Sequence, residues 1–334
     1  MKTNRLYIPI LALALAAGFT SCDDFLDREP MSTVDPEVYF TQVSQLESYA
    51  NQLYENILPS HGNWSYGIFG EDSGTDNQTG ATANNRFAEG LWKVPNKDDD
   101  NWKFEWIYRC NFFLQNVLEK YGTKEDGSEN TIMGDLASIK HYIGEIYFLR
   151  AYEYFKRYQK YGDFPIITEP LADDMEILRE SNKRMPRTEV ARFILDDLKK
   201  AYDFLSAKEM ATTRINKDAA LLLRSRVALF EGTWLKSFEG TAFVPNGEGW
   251  PGASKDYNKD YQFKSGSIDK EINYFLEQAI ADAETISEAY KNDLAENKGL
   301  QQSVNDPANP YYDMFAQEDL SGVREVLLWR QYGR

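Results

Sequence analysis

Histidine and cysteine are scarce in this chain of 334 residues, which has two of each. The two histidines, His61 and His141, leave little material for a multi-histidine metal site or a histidine-based catalytic triad. No GxSxG, Walker A, HExxH or paired CxxC motif occurs. We therefore expect no metal, no cofactor and no catalytic residues, and we expect His141, which falls in a predicted helix, to be structural.

Positive charge is also in short supply. The chain has 37 Lys and Arg residues against 53 Asp and Glu residues, a formal net charge of −16. Proteins bind nucleic acid by neutralising phosphates with Lys and Arg, so this balance excludes nucleic acid as the main partner. What is abundant is apolar and aromatic material: 42% of residues are hydrophobic and 14% are aromatic. That content supports a globular protein with a substantial core.

Long hydrophobic runs are missing, apart from a short one at the amino terminus. Leu6 to Ala17 is apolar and follows the basic residues Lys2 and Arg5. As a helix this run would be about 18 Å long, against roughly 30 Å of membrane hydrocarbon. The pattern is typical of a secretory signal over residues 1–21, and the alternative is a cytosolic protein with a chance apolar start. Removal of residues 1–21, which carry two basic and no acidic residues, leaves a formal charge of −18.

The first cysteine follows this signal directly. The stretch "GFTSC" resembles a bacterial lipobox, in which cleavage just before the cysteine leaves a lipid-bearing amino terminus, here Cys22. Two or three acyl chains, such as palmitate, would anchor the protein to a membrane almost permanently. Asp23 and Asp24 resemble the acidic tract that sends lipoproteins to the cell exterior, although a surface tether can also simply be acidic. Cys110 is then the remaining cysteine, which excludes an intramolecular disulfide, and we expect it to be a small buried hydrophobe.

Apolar residues recur at helical spacing through most of the chain, and strand signals are few. The spacing predicts helices at about 43–57, 101–120, 132–161, 188–206, 217–236 and 269–291. Thr188 and Asn216 are plausible N-caps, and Gly162 with Pro165 predicts a helix end. The best strand signal is "EVLLWRQY" at 325–332. Helix pairs that each bury one face indicate a helical solenoid.

Two long polar loops interrupt the helices, at about 60–101 and 237–267. Sugar rings present an apolar face and a rim of hydroxyls, so a sugar site needs aromatic platforms beside short polar side chains. The loops contain both kinds. The candidate ligand residues are Trp64, Asp76, Arg86 and Trp92 in the first loop and Trp250 and Tyr257 in the second. Alternatively, each tryptophan folds back to cover the helices.

Four stretches, in this order and spacing, resemble the SusD/RagB family of outer-membrane nutrient-binding lipoproteins. They are "CDDFLDREP", "WIYRCNFFLQNVLEK", "GEIYFLRAYEYFKRYQKYGDFPIIT" and "RINKDAALLLRSRVALFEGTW". The resemblance implies an all-α, tetratricopeptide-like scaffold of antiparallel helix pairs with long loop insertions and little β-structure. It also implies non-catalytic binding of glycans, or in some members peptides, at the cell surface, and a partner, a TonB-dependent transporter of the SusC type.

The expected organisation follows from this resemblance. We expect a lipoprotein signal peptide at 1–21, a lipidated tether at 22–42, a SusD-like helical region at 43–236, a loop insertion at 237–267 and the beginning of the SusD/RagB carboxyl-terminal region at 268–334. Members of the family are commonly longer, so we expect that this last region is truncated. Two alternatives stay open: a helical-repeat scaffold that binds another protein, and a helical glycoside hydrolase whose two carboxylates would lie among acidic residues such as Glu71, Asp72 and Asp76.

Overall fold

The computed structural model describes residues 39–60, 89, 102–207, 211–300, 303 and 305–331. In these residues the chain forms eight α-helices. They are α1 (Val43–Ile57), α2 (Glu105–Tyr121), α3 (Leu136–Tyr161), α4 (Met175–Ser181), α5 (Arg187–Phe204), α6 (Lys217–Ser237), α7 (Ile268–Tyr290) and α8 (Pro310–Ala316).

The long helices stack in chain order. Helices α1 and α2 pack on α3, α3 packs on α5, α5 on α6, and α6 on α7. This is the tetratricopeptide-like arrangement of antiparallel helix pairs that the sequence predicts. β-Structure in the described ranges amounts to two isolated bridges, Gln42 with Met133 and Phe164 with Met185. Among the helices of the described part, none combines the length and the apolar character that crossing a membrane requires.

Helix α3 is the centre of the stack. Its aromatic residues are spread around its circumference and most of the helix is buried, including Phe148 at 4% exposure and Phe155 at 5%. At Gly144 the backbone of the loop after α5 comes so close that an added Cβ would lie 2.9 Å from the amide nitrogen of Leu205. A helix with neighbours on several sides explains why the sequence shows apolar residues on most of its faces.

Buried ion pairs connect successive helices. Arg150 of α3 donates two hydrogen bonds of 2.7 Å to the carboxylate of Asp197 in α5. Arg187 at the start of α5 pairs with Glu231 of α6, at 2.8 Å. Arg192 of α5 makes the next pair with a glutamate of α7, at 2.7 Å. Removal of one partner from such a pair leaves a buried charge without compensation, which typically costs about 3–5 kcal/mol.

The described members of the two rarest residue types, Cys110 and His141, are buried inside this frame, as expected. Cys110 and His141 are both 0% exposed. The Nε2 atom of His141 lies 3.0 Å from Oε1 of Glu145, and its Nδ1 accepts a hydrogen bond from the amide of Ser206 at 3.1 Å. Burial raises the pKa of the Cys110 thiol. Both predictions are confirmed: the histidine and the cysteine are structural.

Several predicted helix ends are corrected. Helix α2 begins at Glu105 and not at 101, because Trp102 packs edge-on against Phe164, with ring centroids 4.9 Å apart. Helix α5 begins at Arg187, so Thr188 is not its N-cap; its hydroxyl lies 2.5 Å from the hydroxyl of Tyr261. Asn216 is confirmed as the N-cap of α6, since its Oδ1 accepts from the amide of Ala219 at 3.0 Å.

Two predicted segments pack differently from what the sequence suggests. The described end of the predicted tether, residues 39–42, joins the core: Phe40 is 0% exposed and packs against Tyr49 at 5.3 Å. Residues 325–331 form no strand. Instead this segment runs over the connection between α5 and α6, where Trp329 donates its backbone N–H to the carbonyl of Thr212 at 3.0 Å. The apolar run "VLLW" therefore packs as an extended arm, with Leu327 at 8% exposure.

Candidate functional site

Both long loops leave the helix stack at the same end. The first loop starts after α1 and finishes before α2. Lys156 of α3 donates a hydrogen bond to the carbonyl of Ile57 at 3.0 Å, and its neighbour Arg157 donates to the carbonyl of Lys103 at 3.4 Å. The flanks of the first loop therefore lie beside the last turns of α3. The second loop attaches just beyond the end of the same helix, through the contact of Trp250 with Asp163, so it lies near the described flanks of the first loop.

The second loop, between α6 and α7, is compactly folded. It contains a short 3₁₀ helix, Pro251–Ser254, and a series of tight turns. Val244 is 0% exposed and anchors the first half of the loop. Gly247 permits a close crossing of the chain, since an added Cβ there would lie 1.9 Å from the carbonyl oxygen of Thr241. The loop is therefore an ordered surface that can hold side chains in fixed places.

Polar contacts hold this loop against the connection between α3 and α5 and against α5 itself. The indole Nε1 of Trp250 donates to Oδ2 of Asp163 at 2.8 Å. The side-chain amide of Asn258 donates to the carbonyl of Arg184 at 2.9 Å. The third contact joins the hydroxyls of Tyr261 and Thr188. The position of the loop is thus set by residues that are far from it in sequence.

Asp163 has an unusual electrostatic setting at the end of α3. Its Oδ1 accepts a hydrogen bond from the backbone N–H of Arg187, the first residue of α5, at 2.8 Å. A carboxylate at a helix N-terminus is favoured by the helix dipole. Burial raises the pKa of Asp163, and the hydrogen bonds from Trp250 and Arg187 and the charges of Arg184 and Arg187 oppose this without reversing it. The carboxylate is half-buried, so water screens its hydrogen bonds only in part.

Exposed aromatic rings and cations lie around this end of the stack. Tyr257 is 41% exposed, and the Nζ atom of Lys183 lies 5.9 Å from its ring centroid. The guanidinium of Arg184 lies 5.1 Å from the ring of Trp102. Phe243, in the second loop, is 61% exposed. Flat apolar faces beside hydrogen-bond donors are the groups that a sugar ring requires.

The structure places the predicted ligand residues unevenly. Trp64, Asp76, Arg86 and Trp92, together with the predicted lipidation site Cys22, lie outside the described residues. Tyr257 is exposed, as a ligand platform must be. Trp250 is 4% exposed and packs against Tyr261 at 6.0 Å, so its ring is covered by protein and a sugar would reach it only if the loop opened. Ligand contact by these residues stays a prediction.

Sequence reasoning missed the residues that connect the end of α3 to the second loop and to the segment just before α2. Asp163, Arg184 and Trp102 do this by contacts across the chain, and none of them stands out as a motif for chemistry. The available signal was the stretch "YGDFP", in which a polar residue stands between a helix-ending glycine and a proline. No three His, Cys, Asp or Glu side chains of the described ranges are grouped in a way that would hold a metal ion.

Comparisons with known proteins identify relatives of this chain. A family model named SusD-like and described as "starch-binding associating with outer membrane" matches residues 24–229. Two curated relatives come from Formosa agariphila. SusD-like protein P25 is 26% identical over 234 residues, which are 64% of this chain and 41% of the relative. SusD-like protein P2 is 25% identical over 258 residues, which are 74% of this chain and 47% of the relative. The chain thus spans less than half the length of these relatives.

Solved structures with a similar fold include two from Bacteroides fragilis. A SusD-like protein aligns with a TM-score of 0.42 and 22% identity, over 72% of this chain and 48% of that chain. A SusD-like carbohydrate binding protein aligns with a TM-score of 0.46 and 15% identity, over 79% of this chain and 43% of that chain. A laminarin binding SusD-like protein aligns with a TM-score of 0.32 over half of this chain.

Proposed function

We propose a function on the premise that this chain belongs to the SusD-like family of starch-binding proteins that associate with the outer membrane. Its function is then to bind oligosaccharides or polysaccharides at the cell surface without cleaving them. It would pass them to a TonB-dependent transporter of the SusC type. Both curated relatives are SusD-like proteins, and the laminarin binding protein among the structural neighbours has a glycan as its named ligand.

The observation that carries this proposal is that the second loop lies at the same end of the helix stack as the described flanks of the first loop. A stack of paired helices joined by buried ion pairs is stiff, so side chains at its end are held at fixed separations. The described part of that end offers Tyr257 and Phe243 as exposed aromatic rings, with the Lys183 ammonium beside Tyr257 as a donor. Preorganised aromatic and polar groups reduce the entropy that a flexible sugar chain loses on binding.

The proposed ligand contacts combine both loops. We assign Trp64, Asp76, Arg86 and Trp92 of the first loop, with Tyr257 of the second, to the glycan. Trp250 supports the second loop from inside. A second part of the proposal concerns location: lipid on Cys22 anchors the protein to the outer membrane, and Asp23 and Asp24 direct it to the outer face.

The ligand assignment is tested by affinity electrophoresis of residues 23–334 through gels that contain defined polysaccharides. Retardation of the wild-type protein, together with a loss of about tenfold in affinity for Trp64→Ala and Tyr257→Ala, is the expected result; a tenfold change corresponds to roughly 1.4 kcal/mol. The matched control is Tyr312→Ala, which removes a tyrosine that is 63% exposed outside both loops. Equal retardation of all four proteins would contradict the assignment to the loops.

A further inference from the structure

One carboxylate connects three separate segments of the chain at the loop end. Asp163 follows Gly162, which ends α3 with φ of 66°. Its Oδ1 accepts from the backbone N–H of Arg187 at the start of α5, and its Oδ2 accepts from Nε1 of Trp250 in the second loop, both at 2.8 Å. Both oxygens of the carboxylate are therefore used, each for a different neighbour.

The same junction reaches the end of the first loop through Arg184. The Nε atom of Arg184 donates to the backbone carbonyl of Asp163 at 2.8 Å, and Nη2 donates to the carbonyl of Tyr161 at 3.2 Å. These bonds hold its guanidinium against Trp102, the third residue before α2. Arg184 also offers its own carbonyl to Asn258 of the second loop. The segment that follows α3 thus contacts both the second loop and Trp102, where the first loop rejoins the stack.

The bond between Trp250 and Asp163 differs in kind from the neighbouring contact of Asn258. A hydrogen bond to an ionised partner is roughly twice as strong as one between neutral groups. Asn258 donates to a backbone carbonyl, whereas the hydroxyl of Tyr261 contacts Thr188 and also lies 3.4 Å from the carboxylate of Glu189. Asp163 is half-buried and Trp250 is 4% exposed, so loss of their bond would leave Oδ2 of Asp163 with one donor fewer and little water to replace it. Such a group destabilises the closed position of the loop.

We propose that Asp163 is a positioning residue for the glycan-binding face, which fixes the second loop, and with it Tyr257, through the indole of Trp250. The proposal rests on the proposed function in that the positioned surface is a glycan site. It gives the aspartate of "YGDFP" a specific role. Ligand affinity depends on Asp163 because its carboxylate accepts hydrogen bonds from Trp250 and from the first residue of α5.

Hydrogen exchange of the ligand-free protein tests the positioning directly. The probes are the amides of Trp250, Asn258 and Tyr261, which donate to carbonyls within the loop at 3.1, 2.9 and 3.0 Å. We expect Trp250→Phe, which keeps an aromatic ring but removes the donor, to speed exchange at these amides by about tenfold or more. Exchange in α7 should not change.

A second variant approaches the same bond from the other side. Asp163→Ala should speed exchange of the loop by a similar factor. Exchange in the double variant should be faster than in either single variant by no more than about twofold, because both substitutions remove the same bond between Trp250 and Asp163. Asp163→Ala also removes the acceptor for Arg187, so Trp250→Phe, which leaves α5 untouched, decides the result if Asp163→Ala fails to fold. The control is Asp256→Ala, the same substitution at a fully exposed position of the loop.

Glycan affinity of the same variants separates this proposal from the proposed function. Weaker binding in Trp250→Phe, in step with faster loop exchange and with full binding by Asp256→Ala, supports the positioning role. Unchanged exchange in both Trp250→Phe and Asp163→Ala overturns it, whatever the protein binds. Faster exchange with unchanged affinity overturns the link to the ligand. A wild-type protein that binds no glycan contradicts the proposed function instead, while the exchange data still decide whether Asp163 holds the loop.

Discussion

The buried pair of Arg150 and Asp197 gives the sharpest prediction about the stability of the scaffold. Asp197 is 0% exposed and Arg150 is 4% exposed, and two hydrogen bonds of 2.7 Å join them. Burial lowers the pKa of the Arg150 guanidinium, and the Asp197 carboxylate beside it more than reverses the effect, so the arginine stays charged. Asp197→Ala would leave that charge inside the core, with Asn111 as its hydrogen-bond partner at 2.8 Å.

The expected cost is large because a buried charge loses its counter-charge. Breaking a buried ion pair by removal of one partner typically destabilises a protein by about 3–5 kcal/mol, a large share of the roughly 5–15 kcal/mol that holds a domain folded. The melting temperature should fall by roughly 10 °C. Simultaneous replacement of both partners by apolar residues, as in Arg150→Met with Asp197→Leu, should restore much of the loss, since no unpaired charge remains.

The neighbouring residue supplies a matched control. Asp196 pairs with Lys200 at 2.8 Å on the surface of the same helix, with side-chain exposures of 64% and 44%. Exposed pairs are worth about 0–1 kcal/mol, so Asp196→Ala should change the free energy of unfolding little. Urea denaturation followed by circular dichroism measures both variants. Equal losses in Asp196→Ala and Asp197→Ala would refute the reasoning that burial makes this pair essential.

Further predictions concern the core, the response to acid and the anchor. Phe148→Ala should lower the free energy of unfolding by about 3–5 kcal/mol, and an unchanged melting temperature would show that α3 is not the centre of the core. Burial raises the pKa of Glu271, but the hydrogen bonds from Arg192 and Ser265 outweigh it and the net pKa is below the usual 4.5. The ionised pair of Glu271 with Arg192 therefore stabilises the fold above pH 4.5 and loses this effect as the pH falls. The difference in the free energy of unfolding between wild type and Glu271→Gln should become smaller in acid, and a difference that becomes larger contradicts this. Labelled palmitate should enter the wild-type protein in cells and not the Cys22→Ala variant, and label retained by that variant would disprove the anchor.

Helix positions were predictable from the sequence wherever local signals and packing agreed. Asn216 caps α6 and lies just before the apolar residues of that helix. Gly162 ends α3 because its φ is positive, and Pro165 follows three residues later. The start of α5 could not be placed in the same way. A distant carboxylate, that of Asp163, binds the amide of Arg187, so tertiary contacts decide which residue begins the helix.

The sequence does not predict which aromatic side chains of the loops are exposed. Trp250 and Tyr257 lie seven residues apart in one polar loop, and the same argument nominates both as sugar platforms. Trp250 is turned inward by a hydrogen bond to a residue 87 positions away, whereas Tyr257 stays exposed. The spacing of residues within one segment of the sequence carries no information about such long-range contacts. For the same reason the run "VLLW" was interpreted as a strand, although it packs as an arm beside Thr212.

The central claim is that this protein binds glycans and leaves them intact. Isothermal titration of residues 23–334 with soluble oligosaccharides of defined linkage, followed by an assay of reducing ends on the same samples after prolonged incubation, tests both halves. The account predicts saturable binding of at least one oligosaccharide class and no increase in reducing ends. Release of reducing sugar would favour the hydrolase alternative, and absence of heat with every glycan in the panel would contradict the account and favour a scaffold for another protein.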